Sequence, residues 1–365
     1  MVIKIGTNLL TGKRAFDGHV MEEVVKEVCE IKQHHAMDIV IVSSGAVGCG
    51  MQTLGLDRRP VSLPEKQAVA AVGQARLMHY YETLFQTYGN GLTTAQVLLT
   101  QADLDSRQNY LNVRNTLNTL FTIDKVIPII NENDSTATEE LKFGDNDTLA
   151  AKIAAKINAS LLIILTDVEG LYDKNPQEKE AHLISDITEI TPDIEAVAGG
   201  AGSIAATGGM RTKIQAAKIA TAAGVDCVIT SGHQKRVIHR VLTGDAPRTR
   251  FFPAKVALSH RKRWIAFGRS TSGTVCVDSG ARNALVCHGK SLLPAGITGI
   301  EGKFSAGAAV RVVDESGTLI ARGLVNYDSD SLRAIQGKKS AAIATILGRK
   351  DFDEAIHRNN MVVLH

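Results

Sequence analysis

Three uninterrupted apolar runs, Val126–Ile130, Leu161–Leu165 and Val225–Ile229, constrain this 365-residue chain more than any other feature. A strand with one wet face alternates apolar and polar residues. A continuous run of this length belongs to a strand covered on both faces. Val2–Ile5, Asp38–Ser43 and Leu92–Leu99 read as further strands. Between them lie longer segments of helical character: His19–His34, Pro64–Tyr88, Ser106–Leu120, Thr148–Lys156 and the alanine-rich Gly209–Ala223. Ser62 followed by Glu65 has the form of a capping box. Thr191-Pro192 supplies an N-cap and first-turn proline for a short helix. Such alternation predicts an α/β domain over residues 1–250, with a mainly parallel sheet sandwiched between two helical layers.

The pattern changes further on. Arg236, Arg240, Arg248, Arg250, Lys255, Arg261, Lys262 and Arg263 face a single acid, Asp245, across 236–263. This reads either as a solvated connector or as a contact for phosphate or nucleic acid. From Gly273 the segments shorten into strands and turns, and Asp314-Glu315-Ser316-Gly317 between two alternating runs predicts a hairpin. The expected division is a domain at 1–250, a linker at 251–271, a small mostly-β domain at 272–350 and a tail at 351–365.

Bulk properties narrow the function classes. A net charge of +3 is too small to argue for a nucleic-acid or membrane surface, and 4% aromatic content argues against a chain built on base stacking. No apolar run approaches the ~20 residues that span a bilayer, and Met1–Thr7 lacks the layout of a signal peptide. The five cysteines are scattered and form no CxxC pair, which reads as reduced thiols in a cytoplasmic protein, without disulfide framework or zinc site.

Polar chemistry collects where strands end. Pro128–Ala151 packs Asn131-Glu132-Asn133-Asp134 and Asp145-Asn146-Asp147 around a loop carrying Lys142. In open α/β sheets, ligands bind beyond such carboxyl ends. Lys4 at the end of the first strand precedes Gly6-Thr7-Asn8, and Ser43-Ser44-Gly45-Ala46-Val47-Gly48 follows the second. Each is read as an anion-binding loop or as an ordinary turn. Thr166-Asp167 closes the run Leu161–Leu165, and Thr207-Gly208-Gly209-Met210-Arg211-Thr212-Lys213 opens the alanine-rich helix. Asp145 and Asp147 are lysine partners or oxygen ligands suited to Mg²⁺. No GxSxG elbow, HExxH pair or cysteine nucleophile accompanies them. Cations, amides and a metal, with little covalent work by the protein, are what phosphoryl transfer uses. The residues alone therefore predict a nucleotide-dependent kinase.

Taken in order, KIGT, SSGAV, KQAVAAVGQARL, INEND, KFGDND, LTDVEGLY and TGGMRTK resemble the glutamate 5-kinase (γ-glutamyl kinase) family of the amino-acid kinase superfamily. RKRWI, SGTVCVDSGA and SLLPAGI resemble the PUA domain that many of its bacterial members carry. The resemblance implies the amino-acid kinase fold and ATP-dependent phosphorylation of the γ-carboxylate of L-glutamate, the first step of proline synthesis. It implies catalytic roles for Lys4 and Lys213 on the transferring phosphoryl group, with Asp147 holding both lysines. Ser44, Asp134 and Asn146 would bind glutamate, with Asn131, Lys142 and Asp145 nearby. Thr166, Asp167 and the segment from Thr207 to Lys213 would contact ATP, and Mg²⁺ would bridge its phosphates. The labile acyl phosphate implies delivery to glutamyl phosphate reductase. Proline feedback, with Glu65–Leu77 near the glutamate site, and a homodimer or homotetramer are further family expectations. Two positions depart from the usual motifs: Asn8 stands where the family has serine, and Ala206 where glycine often precedes TGGM.

Three rivals remain. Another amino-acid kinase (acetylglutamate, aspartate, carbamate or UMP) is opposed by the paired INEND and KFGDND. An RNA-binding protein acting through the C-terminal module is opposed by its charge: residues 272–365 hold eleven Lys and Arg against nine Asp and Glu. A catalytically inactive homologue is opposed by the intact lysines and acids.

Overall fold

A computed structural model describes residues 1–10, 16–35, 37–105, 107–136, 146–176, 178, 180–198, 207–254, 262, 265–266 and 271–364. The chain divides into two compact units, Met1–Ala257 and Leu258–His365.

The first unit alternates strands and helices: β1 (Val2–Ile5), α1 (His19–His34), β2 (Val40–Ser43), α2 (Ala46–Leu54), α3 (Leu63–Tyr88), β3 (Thr93–Leu99), α4 (Gln101–Asp105), α5 (Arg107–Thr122), β4 (Val126–Glu132), α6 (Asn146–Lys156), β5 (Leu161–Thr166), β6 (Asp186–Ile187), α7 (Pro192–Ala198), α8 (Thr207–Ala222), β7 (Asp226–Ser231), α9 (Val237–Thr243) and β8 (Arg248–Phe251). The sheet runs β3-β4-β2-β1-β5-β7-β8-β6. Its pairings are parallel except β7 with β8. β1 lies between β2 and β5, in register from Lys4 to Val42 on one side and Ile164 on the other. Ile3, Ile5, Ile41, Ile129, Ile163 and Leu165 are essentially inaccessible and pack with Val24, Val25 and Val28 of α1 and with Leu77, Tyr81 and Phe85 of α3. The apolar runs are thus covered as their continuity predicts. Ser62 and Glu65 close the expected capping box on α3.

Several local expectations change. The segment after β2 is not a loop of small residues. Gly45, in the left-handed region at φ 107°, turns the chain directly into α2. β4 extends through Asn131 and Glu132, so half of INEND belongs to the sheet. Residues 236–251 are no connector, because they form α9 and the sheet strand β8. Arg250 is paired there with Asp226, its Nε 3.0 Å from Oδ1 and its Nη2 3.1 Å from Oδ2. Arg236 pairs with Glu30.

The second unit is a five-stranded sheet of β9 (Gly273–Val277), β10 (Ile297–Gly302), β11 (Ala309–Val313), β12 (Leu319–Leu324) and β13 (Met361–Val363), ordered β10-β9-β11-β12-β13. Helices α10 (Ser279–Val286), α11 (Ser329–Ile335) and α12 (Ile343–Leu347) accompany it. β11 and β12 form the expected hairpin. Asp314 Oδ1 accepts from the backbone of Ser316 and Thr318, and Gly317 takes φ 81°. Residues 351–365, set apart by sequence as a tail, contribute β13 to this sheet. Among the described residues no helix is long and apolar enough to cross a membrane.

Candidate active site

β1, β2, β4 and β5 all deliver polar residues to the same end of the sheet, and α6 packs over all four. Its first turn carries Asn146 and Asp147. A carboxylate in the first turn suits the positive end of a helix. Asp147 is wholly buried, and each of its oxygens meets an ammonium. Lys4 Nζ, from β1, lies 2.5 Å from Oδ1, and Lys213 Nζ, from α8, lies 3.0 Å from Oδ2. Thr212 Oγ1 donates to the same Oδ2 at 3.2 Å. Lys213 also donates to the Gly209 carbonyl at 3.2 Å, across one turn of its helix. Removing three charges from water is costly, and apolar residues of similar size often stabilise a fold as well or better. Two ammonium groups and one carboxylate leave a net positive charge at the strand ends, which suits a negatively charged group.

Beside this triad lies an amide cluster. Asn146 Nδ2 sits 3.0 Å from the Ser43 carbonyl, 3.0 Å from Ser44 Oγ and 2.9 Å from Asn131 Oδ1. Asn131 Nδ2 donates to Gln74 Oε1 of α3 at 2.9 Å. Tyr81, also on α3 and fully buried, donates its hydroxyl to Ser43 Oγ at 2.7 Å. Burial pushes the Tyr81 phenol above its ordinary value, against the partly offsetting bond to Ser43, so it remains a donor. Asp134, half-buried, follows β4 by two residues.

On the other side of β1, Asp167 accepts from Thr166 Oγ1 at 3.0 Å and from Asn8 Nδ2 at 3.0 Å. Burial opposes ionisation of Asp167, yet these bonds hold its carboxyl below the usual range. Gly6 N donates to the Leu165 carbonyl at 3.0 Å, tying the loop after β1 to β5. Thr207 and Gly208 open α8, Gly209 and Arg211 are exposed, and Met210 is half-buried.

Lys4, Asp147 and Lys213 are thus brought into contact, as are Ser44, Asn131 and Asn146, while Thr166 and Asp167 form a separate pair. Lys142 and Asp145 lie outside the described residues. Sequence reasoning missed Gln74 and Tyr81. Gln74 lies inside the motif KQAVAAVGQARL and the Glu65–Leu77 region but is given no role of its own, and Tyr81 lies one turn beyond them on the same helix.

Comparison with known proteins reaches the same region. Residues 1–231 match the amino acid kinase family and residues 273–347 match the PUA domain. Over 366 aligned residues the chain is 49% identical to the glutamate 5-kinase of Moorella thermoacetica, covering 100% of this chain and 96% of that protein. The chain belongs to the glutamate 5-kinases of the amino acid kinase family. It is also 48% identical to the glutamate 5-kinase of Caldanaerobacter subterraneus subsp. tengcongensis, over 100% of this chain and 97% of that one. Among solved structures, carbamate kinase from Giardia lamblia bound to AMP-PNP aligns with a TM-score of 0.49 at 17% identity, over 69% of this chain and 97% of that chain. The family expectation drawn from the motifs therefore holds across the whole length, including the PUA domain.

Proposed function

We propose that this glutamate 5-kinase transfers the γ-phosphoryl group of ATP to the γ-carboxylate of L-glutamate, yielding L-glutamyl 5-phosphate for proline synthesis. The observation that carries the reading is the Lys4–Asp147–Lys213 triad at the strand ends. A glutamate carboxylate oxygen forms the new bond to phosphorus while the bond to the bridging oxygen breaks, and ADP leaves with that electron pair. Carboxylates are ionised at neutral pH, so the acceptor needs no general base. The burden falls on positioning and on neutralising charge spread over the phosphoryl oxygens. Lys4 and Lys213 serve that charge, and Asp147 fixes where the two ammonium groups stand.

Ser44, Asn131, Asn146 and Asp134 form the acceptor side. Asp134 suits the α-ammonium group, and the amides after β2, at the start of α2, suit the α-carboxylate. Thr166, Asp167 and the segment from Thr207 to Lys213 form the nucleotide side, with the first turn of α8 offering backbone N–H groups. Lys142 and Asp145 are assigned to the acceptor side by family motif. Among the described residues no group of three or more His, Cys, Asp or Glu side chains could hold a metal ion. Mg²⁺ fits here as an ion carried by the ATP phosphates, where it would neutralise oxygen charge. Glutamyl phosphate reductase as recipient of the product, proline as inhibitor, a homo-oligomer and a cytoplasmic setting belong to the same proposal.

The test is turnover with hydroxylamine trapping across L-glutamate, N-acetylglutamate and aspartate, with and without proline. A hydroxamate formed best from L-glutamate is expected. Strong preference for another acid would overturn the substrate assignment.

A further inference from the structure

Backbone groups with no choice of role reveal which atom of Asn131 and of Asn146 is oxygen and which nitrogen, and Asn131 in turn identifies Gln74 Oε1. Asn131 Oδ1 accepts from the Glu132 backbone N–H at 2.8 Å. An N–H only donates, so the facing atom is oxygen and Asn131 Nδ2 must point to Gln74 Oε1. Asn146 faces the Ser43 carbonyl at 3.0 Å, and a carbonyl only accepts, so the facing atom is Nδ2. Asn131 Oδ1 receives that same nitrogen at 2.9 Å. The direction of donation therefore runs from Asn146 to Asn131 to Gln74. One atom is left over. Asn146 Oδ1 is buried and has no hydrogen-bond partner among the described residues. Buried acceptors are rarely left unpaired, and one at the mouth of a ligand site calls for a donor on the ligand.

We propose that Gln74 is a positioning residue for the acceptor substrate. By accepting from Asn131 it locks a relay of three amides whose open end, Asn146 Oδ1, takes a hydrogen bond from the substrate's ammonium group. This rests on reading the cluster as the amino-acid pocket. Gln74 touches no reacting atom. Its contribution is to hold Asn131, and through it Asn146, in the one orientation that presents an acceptor.

The experiment compares Gln74→Glu with Gln74→Met. Glutamate at 74 keeps an acceptor for Asn131, whereas methionine keeps only the volume. For L-glutamate, Gln74→Met raises KM roughly tenfold, about 1.4 kcal/mol, while Gln74→Glu stays within about threefold of the parent. KM for ATP is unchanged in both. Glutarate, which lacks the ammonium group, serves as a competitive inhibitor, and its inhibition constant moves much less in Gln74→Met. Should Gln74→Met not fold, Gln74→Asn, which withdraws the acceptor by one methylene, replaces it with the same expectation. Equal losses for glutamate and glutarate, or parental kinetics in Gln74→Met, overturn the relay. If the unsubstituted protein neither binds nor phosphorylates L-glutamate, the reading of the pocket itself falls and the relay with it.

Discussion

A Cβ atom built on Gly73 would lie 1.7 Å from the carbonyl oxygen of Ala46. α3 therefore crosses the first turn of α2 with no room for any side chain. Gly50 repeats the relationship one turn on, its added Cβ meeting the Val69 carbonyl at 1.9 Å. The crossing fixes the start of α2, and with it Ser44, which stands two residues earlier. Gly73→Ala is expected to lower the Tm by an amount corresponding to roughly 1–3 kcal/mol or more. It should also raise KM for L-glutamate more than KM for ATP. Thermal melts with steady-state kinetics on the two substrates check both.

Asp147→Asn leaves two buried ammonium groups without their shared counter-charge. We expect kcat to fall by roughly a hundredfold or more, and the fold to lose about 3–5 kcal/mol. Lys213→Met should cost turnover on a similar scale with a smaller loss of stability, because Lys4 and Asp147 still pair. Parental kcat in either variant would remove the triad from the chemistry.

Lys156, at the end of α6, is 1% exposed, and burial depresses its ammonium to about 7, with Lys152 and Arg114 adding repulsion and Asp103 partly offsetting them. Its folded value lies below its unfolded one, so the unfolded chain binds the extra proton between about pH 7 and 10.5. Stability should rise with pH across that window by about 1.4 kcal/mol per unit from this group, and level off below it. Denaturant titrations of Lys156→Met should therefore show a stability difference from the parent that favours the variant increasingly as pH falls from 10 to 7. A pH-independent difference would show that Lys156 keeps an ordinary proton affinity.

Asn8 is the residue at which the loop after β1 reaches the Asp167 carboxylate. Asn8→Ala is expected to raise KM for ATP a few-fold and leave KM for glutamate unaltered. Asn8→Ser, with a shorter side chain and one donor, should fall between. Asp167 is held below its ordinary value, so its contribution to folding is present at neutral pH. That contribution is lost on acidification through the carboxylate range, and the loss should shrink in Asn8→Ala.

Much of the frame was legible from periodicity because buried strands and capped helices obey local rules. β1 and α1 begin and end where their runs do, and the Ser62–Glu65 box marks the start of α3. The losses have physical causes. Ser43–Gly48 reads as loop because glycine disfavours helices, yet Gly45 turns the chain into α2 and Gly50 just beyond lets α2 touch α3. Arg248–Phe251 reads as connector because its charges suit solvent, while Arg250 is neutralised by Asp226 at a sheet position. At the site, the polar clusters at the strand ends stand out by residue type, while the meeting of Lys4 and Lys213 on Asp147 is implied by the resemblance to the family. Tyr81 is not marked, and Gln74 is marked only as part of a motif, since the contacts of both depend on which face of a long helix meets the strand ends.

Asp147 is satisfied only when three stretches distant in the chain, 2–5, 146–156 and 207–222, have all docked. A nascent chain that has not yet released α8 holds Lys4 and Asp147 but lacks the second cation. The three stretches come from the start, the middle and the last third of the first unit, so this buried charge is balanced only once the unit has closed.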